Sequence, residues 1–288
     1  VSVKLRPIAF SAADYHADAV ADVPTLSKSI LHTLITQSPA HAREQHPKLN
    51  PDFQRVDEDK FDLGTAAHAL FLEGDAGVHI VYADDWRTKA AKEERELARQ
   101  HGRTPMLEKH YVECERMVTA LRAQCDEHEA GPFFTDGTAE RTIVWEDEYG
   151  VVCRARLDWL RDDLTAIHDL KTTRASANPA DWTRTTLWGM GAELQVAFYL
   201  RGARAALGCE PDFRFVVCET VAPFAMSVVS LAPDALALAE RKVSYALKVW
   251  AQCLRNDAWP AYEPRVAYAT VPPWMEAAWL ERELREVA

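Results

Sequence analysis

No apolar run in the 288 residues approaches the roughly 18–20 residues that a transmembrane helix requires, so a chain spanning a membrane by helices is excluded. No charged-then-apolar leader with a cleavage site opens the chain, which points away from secretion and towards the cytoplasm. The start at Val1 implies that an initiator Met was removed or the start trimmed. The six cysteines (Cys114, Cys125, Cys153, Cys209, Cys218 and Cys253) form no CxxC pair and no Cys/His cluster with zinc or iron–sulfur spacing. They lie mostly among apolar residues, as buried reduced thiols do, so disulfides and a cysteine-bound metal are not expected. Internal repeats and low-complexity segments are also lacking. Positive charge is in deficit, with 33 Lys+Arg against 44 Asp+Glu and a net −11. At first sight that balance argues against a polyanion as partner.

Apolar residues make up 48% of the chain, enough to offset chain entropy and exclude a disordered protein. The length suits one large core, or a core with a smaller subdomain. Residues 11–135 read as mostly helical. Ser38-Pro39 is a helix start, with Ser as N-cap and Pro at the first helical position, and Thr104-Pro105 reads as another. After it, Leu107, Tyr111, Cys114, Val118, Leu121 and Cys125 alternate spacings of four and three, one apolar helix face. Gly131-Pro132 and Asp136-Gly137 break that pattern. The period then changes to that of strands at Arg141 to Trp145, Val151 to Leu160 and Leu164 to Leu170. A helical stretch from Asn178-Pro179 to Leu207 follows, then strands at Phe213 to Glu219 and Phe224 to Leu231. Pro233-Asp234 opens a long helix whose apolar face is Leu236, Val243, Leu247, Trp250 and Leu254. A short final helix starts at Trp274. The class is α/β (α+β): a central sheet flanked by helices after a mostly helical amino-terminal portion. The expected organisation is a helical part over 1–135, a core over 136–262 and a tail over 263–288, together one compact domain.

The chemistry-bearing stretch is Arg154-Ala155-Arg156-Leu157-Asp158, followed by Asp169-Leu170-Lys171. On a strand, alternate residues share a face. Arg154, Arg156 and Asp158 are therefore expected to point one way, and Cys153, Ala155, Leu157 and Trp159 the other. Asp169 and Lys171 share a face in the next strand. If these faces align, two carboxylates and an ammonium converge. Adjacent carboxylates repel, and a hard divalent cation such as Mg²⁺ relieves the repulsion. The same ion can polarise a phosphoryl oxygen and activate water. The alternative is a solvated Asp–Lys pair on an exposed strand, which D-x-K gives by chance in many proteins.

The order of motifs resembles the exodeoxyribonuclease VIII (RecE-type) nuclease domain, in the RecB-like branch of the PD-(D/E)xK superfamily. The resemblance rests on Ser27-Lys28-Ser29 with Ser38-Pro39-Ala40-His41, and on Gly64 to Glu73 as G-T-A-x-H-x-x-x-L-E. It continues with Arg154 to Asp158 as R-x-R-P-D, with Leu157 in place of Pro. Asp169 to Thr173 matches D-x-K-T-T, and Gln195 to Tyr199 matches Q-x-x-x-Y. Glu219 to Pro223 and Pro272-Pro273-Trp274 complete the set. The resemblance implies a restriction-endonuclease-like central mixed sheet. It implies His68, Asp158, Asp169 and the Leu170 carbonyl as metal ligands, Lys171 as catalytic lysine, and Gln195 and Tyr199 lining the site from one helix face. Mg²⁺ is the implied cofactor, with Mn²⁺ able to substitute. The implied activity is 5′→3′ degradation of one strand of linear duplex DNA. The implied partners are DNA ends, a single-strand annealing protein of phage-type recombination, and further copies of the chain in a ring.

Several residues stay open between two readings. His68 could be a satisfied helix histidine, and Tyr199 a core residue. Arg154 and Arg156 could hold substrate phosphate by bidentate forks, or neutralise nearby carboxylates. Glu140 could sit near the site or be a surface strand charge. Lys92, Arg95, Arg99 and Arg103 form a basic stripe if helical, either touching DNA or paired within a solvated face. Trp86 is a candidate base-stacking wedge. The competing functions are a structure-specific endonuclease or Cas4-like nuclease, against which the cysteine spacing counts, and a non-catalytic DNA-binding module. Local fields, not net charge, decide binding, so the acidic balance confines a DNA contact to a channel rather than excluding it.

Overall fold

The structure, a computed structural model, describes residues 10–53, 63–74 and 77–286, with no account of the Thr65 and Glu286 side chains. Five strands form the central sheet in sequence order: β3 (Gly137–Glu146), β4 (Val152–Arg161), β5 (Ala166–Thr173), β6 (Asp212–Glu219) and β7 (Met226–Val229). All neighbours are antiparallel except β5 and β6. A parallel pair needs a long crossover. Here it comprises α7 (Pro179–Trp182), α8 (Ala192–Gly202) and two π-helical turns, Thr183–Leu187 and Ala203–Leu207.

Each sheet face has its own core. On one, Ile143, Cys153, Ala155, Leu157, Ile167 and Phe215 pack against α8, α2 (Lys28–Thr36) and α9 (Pro233–Asn256). On the other, Leu170, Val216 and Cys218 pack against α4 (Leu63–Glu73) and α6 (Glu108–Glu127). The amino-terminal helices are therefore layered onto the sheet. On α9, Val243, Leu247 and Trp250 are fully buried, as the three-and-four spacing predicts.

The amino-terminal portion departs from the sequence expectation in one place. Thr104-Pro105 does not start a helix; β2 (Thr104–Leu107) pairs in parallel with β1 (Val78–Val81), across α5 (Lys89–Gln100). Its Pro sits in a two-stranded sheet, where edge positions tolerate a missing N–H. Helix α6 begins only at Glu108, but buries Cys114, Val118, Leu121 and Cys125 as its spacing implies. Ser38 does cap α3 (Pro39–Glu44), accepting a hydrogen bond from the His41 amide. The remaining helices are α1 (Ala12–His16) and α10 (Pro273–Glu286). Residues 261–285 are exposed apart from Pro272. No helix among the described residues is long and apolar enough to cross a membrane.

Candidate metal centre

The site lies where the sheet comes apart. Strands β3 and β4 keep one register from Gly137↔Arg161 to Glu146↔Val152, interrupted only at Glu140 and Asp158, while β4 and β5 pair only at Trp159↔His168 and Leu160↔Ile167. The next rung would set Asp158 against Asp169, and there the strands splay. The Asp158 carboxylate enters the gap, and its Oδ2 accepts the Leu170 amide at 2.9 Å in place of a ladder carbonyl. At the far end of β4 the vacated edge is taken by Leu26, whose backbone pairs with Val152 and Arg154 at 2.8 and 2.9 Å.

The expected alternation along β4 fails at this point. Cys153, Ala155 and Leu157 share one core, as expected, but Trp159 joins the opposite one and Leu160 returns to the first. Glu140, opposite Asp158 across β3, has φ +56°, a left-handed conformation uncommon for a residue with a side chain. The distortion brings the Glu140 and Asp158 carboxylates together with His68, which α4 delivers from the other face.

His68, Glu140 and Asp158 each present one ligand atom, all within 4.8 Å of one another. His68 Nε2 is 2.9 Å from Asp158 Oδ2, and Nδ1 is 3.8 Å from Glu140 Oε1. The Arg156 guanidinium pairs with the other Glu140 oxygen. On β5, Lys171 and Gln195 bond the two oxygens of Asp169, one each. The structure thus brings His68, Asp158, Asp169, Lys171 and Gln195 into one linked network. Asp169 is turned towards Lys171 and Gln195 rather than into the three-atom cluster. Tyr199, one turn along α8, is buried against Phe213 with ring centroids 6.2 Å apart.

The electrostatics follow from burial and pairing. Burial opposes the Asp158 carboxylate, but the His68 hydrogen bond, the His68 and Lys171 charges and the Leu170 amide outweigh it, so the group titrates below its usual range. Asp169 is pushed up to about 6 by burial and then by the Asp158 charge, against the pull of Lys171. Burial disfavours the Lys171 ammonium, yet the Asp169 and Asp158 charges raise its pKa above normal, so Lys171 is a fixed cation. Burial likewise opposes the His68 imidazolium, and Asp158 and Glu140 overcome it, raising the His68 pKa.

A hard cation takes carboxylate and imidazole ligands of this kind, and the donor set fits Mg²⁺ or Mn²⁺. Of three further residues nearby, Tyr15 and Lys28 were not expected at the site, and Glu140 was open between the site and the surface. Glu140 is adjacent to the chemistry only because of its left-handed backbone. Tyr15 lies in the fields of Arg154, Arg156 and Glu140. Lys28 is half-buried at the start of α2, donates to the Met190 carbonyl at 2.7 Å, and is pushed down to about 8 by desolvation and then by the Lys171 charge. Ser27-Lys28-Ser29 was the only signal for it.

Other expected contacts move elsewhere. Arg154 is 3% exposed; its guanidinium holds Asp18 at 2.5 Å and the Thr25 carbonyl at 3.0 Å, and lies 5.4 Å from the Tyr15 ring centroid. It belongs to the framework and does not offer itself to DNA, because its charge is already neutralised away from solvent. On α5, Arg95 and Arg99 both pair with Glu96, at 3.2 and 3.0 Å, so these two arginines of the stripe with Lys92 are compensated within the helix. Arg103 lies past the helix end, beyond Gly102. Trp86 is no free wedge: it packs on the Val81, Ala91 and Leu107 cluster, with Arg95 5.6 Å from its ring centroid.

A five-stranded mixed sheet flanked by helices, with Asp158 and Asp169-Leu170-Lys171 at the splayed strands, defines a PDDEXK-like fold. Residues 27–270 match the PDDEXK-like domain of unknown function (DUF3799), and the chain belongs to that family. The superfamily is therefore settled, while the RecE-type branch is a finer assignment than this match makes. No curated protein matches the sequence. Among solved structures, a "Putative exonuclease" from Eubacterium rectale aligns over 92% of this chain and 97% of its own, with a TM-score of 0.60 and 14% identity. Likeness at that identity establishes the fold. A second structure, SSO0001, covers 84% of this chain and 88% of its own at 11% identity, but its TM-score of 0.35 carries no argument.

Proposed function

We propose that the protein is a divalent-metal-dependent deoxyribonuclease. The observation that carries this is the convergence of His68, Glu140 and Asp158 within 4.8 Å beside the Lys171–Asp169 pair. His68, Glu140 and Asp158 would hold the cation, together with Asp169 and the Leu170 carbonyl that the RecE-type resemblance implies. A bound Mg²⁺ or Mn²⁺ supplies Lewis-acid polarisation of the phosphate and a water of lowered pKa.

The chain's own residues do the rest. Lys171, held charged, stabilises negative charge developing on the phosphate and orients the attacking water; its raised pKa makes it a poor base. Asp169 fixes Lys171, and Gln195 fixes Asp169. Arg156 orients Glu140 and offsets its charge. Tyr199 walls the site on the α8 side.

The finer reading is an exonuclease acting on the ends of linear duplex DNA with 5′→3′ polarity. It leaves 3′ single strands for an annealing protein and works as a ring of copies in the cytoplasm. It is supported by the ordered motifs from Ser27 to Trp274. Digestion of linear duplex labelled at the 5′ or the 3′ end, with and without Mg²⁺, tests it. Early release of the 5′ label only with Mg²⁺ is the expected result. Cleavage of covalently closed circles would make the enzyme an endonuclease, and no cleavage with either metal would remove the hydrolase reading.

A further inference from the structure

Helix α9 carries a second surface feature that the metal centre does not use. In a chain of net −11, residues 241–255 hold Arg241, Lys242, Lys248 and Arg255 and no Asp or Glu. At 100° per residue, Leu238, Arg241, Tyr245, Lys248 and Arg255 fall on one side of the helix. That is the side away from buried Val243, Leu247 and Trp250. Leu238 is 45% exposed and Tyr245 63%. Among the described residues no carboxylate lies within ion-pair distance of Arg241, Lys248 or Arg255; the acids paired beside this face are Glu193, on Lys242, and Asp147, Glu148 and Glu240, all on Arg201. A shallow depression of about 260 Å³ runs between Ile35 of α2 and Leu238, Arg241, Lys242 and Tyr245.

This face borders the start of α8, the helix that carries Gln195. Lys242 bonds Glu193 of α8 at 2.9 Å and sits 5.9 Å from the ring centroid of Trp188, itself 42% exposed. Lys28, at the start of α2, reaches the same turn, donating to the Met190 carbonyl at 2.7 Å. Lys28 of α2 and Lys242 of α9 thus flank the turn that carries Trp188 and Met190.

We propose that this face is the track for a single DNA strand running to or from the metal centre, a reading that rests on the nuclease function proposed above. Arg241, Lys248 and Arg255 contact phosphates, and Trp188 and Tyr245 stack on bases; Lys242, paired with Glu193, sits over the Trp188 ring. Cations alone would suit any polyanion. Exposed aromatic rings beside them favour a single strand, because only there are base faces open for stacking. A duplex hides its bases and offers such a surface only phosphates.

The test measures fluorescence anisotropy of labelled oligo-dT and of an abasic oligomer of equal length, with the full-length protein in EDTA so that cleavage plays no part. Arg241→Glu with Lys248→Glu should weaken oligo-dT binding at least tenfold and flatten the log–log salt slope by roughly 1.4, about 0.7 per phosphate contact. Trp188→Ala with Tyr245→Ala should abolish the preference for oligo-dT over the abasic oligomer while leaving the salt slope intact. The same charge reversal at Lys89 and Arg116, on α5 and α6, should change binding less than twofold. All substituted side chains are solvent-facing, and a thermal melt confirms that each variant is folded. Oligo-dT binding by the α9 reversal within twofold of wild type, or tighter α9-dependent binding of blunt duplex, would overturn the proposal. A protein that binds oligo-dT through α9 but cleaves nothing would remove the nuclease reading and leave this surface. One that cleaves with binding indifferent to α9 would do the reverse.

Discussion

Strand β4 passes through two clusters of similar composition and opposite character. At its start, Arg154 joins Asp18, Thr25 and His46, where the ionic side chains are no more than 4% exposed. Further along, Arg156 and Asp158 join Glu140 and His68, at 14–30% exposed. Each cluster combines an arginine, a histidine and carboxylate oxygens. In the first, the charges are paired and sealed: Arg154 holds Asp18, Asp18 takes the Thr25 amide at 3.0 Å, and His46 bonds the Thr25 carbonyl at 2.9 Å. In the second, two carboxylates crowd one imidazole, with an opening to solvent. Residue type does not separate a fastener from a candidate reaction centre. The ratio of negative to positive groups and the access of water do.

The comparison breaks most readily at Asp158. Asp158→Ala should lower DNA hydrolysis by at least about 10³-fold with the fold retained, measured by end-labelled digestion and thermal melting. Wild-type digestion by that variant would remove the open cluster as the reaction centre. Asp18→Ala should do the opposite. It strands the buried Arg154 charge and should cost about 3–5 kcal/mol in urea unfolding, while the folded fraction still binds Mn²⁺. An unchanged unfolding midpoint would show that the sealed cluster holds nothing together.

A buried histidine without a carboxylate sharpens the point. His168 accepts the Phe134 amide at 3.1 Å between the Phe133 and Phe134 rings. Burial, then the Arg214 and Arg161 charges, pushes its pKa from 6.5 down to about 4. Above pH 6.5 the ring is neutral in folded and unfolded chains alike, and its contribution is intact. As pH falls the unfolded chain protonates first, so roughly 3 kcal/mol is lost by about pH 4. Urea unfolding at pH 7 and 4.5 should show a smaller loss for His168→Asn than for wild type; equal losses would place the acid sensitivity elsewhere. His68, with the opposite shift, should make cation binding compete with a proton. Mn²⁺ affinity should weaken as pH drops below the raised His68 value, by up to about tenfold per unit. Calorimetric titration from pH 8 to 6 checks this, and a flat profile would exclude His68 as a ligand.

Much of this was legible in the residues. The motifs placed His68, Asp158, Asp169, Lys171 and Gln195 together, and the period changes located all five strands of the main sheet. Glu140 was legible only as an even choice, because period-two alternation cannot foresee a left-handed residue that turns a side chain. Arg154 and Arg156 looked equivalent, being two apart on one strand; the segment around Leu26, distant in sequence, buries one and leaves the other at the rim. Thr104-Pro105 satisfied a helix-start rule, but tertiary pairing with Val78 to Val81 overrode it. The basic stripe of α5 stood out because its cations are dense, and its carboxylates cancel it. The sparser cations of α9 form no motif, and the regular apolar face of that helix is its stronger sequence signal.

The splay between β4 and β5 has one more consequence. The Leu170 amide donates not to a neighbouring strand but to an oxygen of Asp158, so a backbone proton in the middle of the sheet is wired to a candidate ligating carboxylate. Its nuclear magnetic resonance frequency and its exchange with deuterium depend on how that oxygen is engaged. The fold thereby carries a native probe at its centre, readable without a label or a substrate.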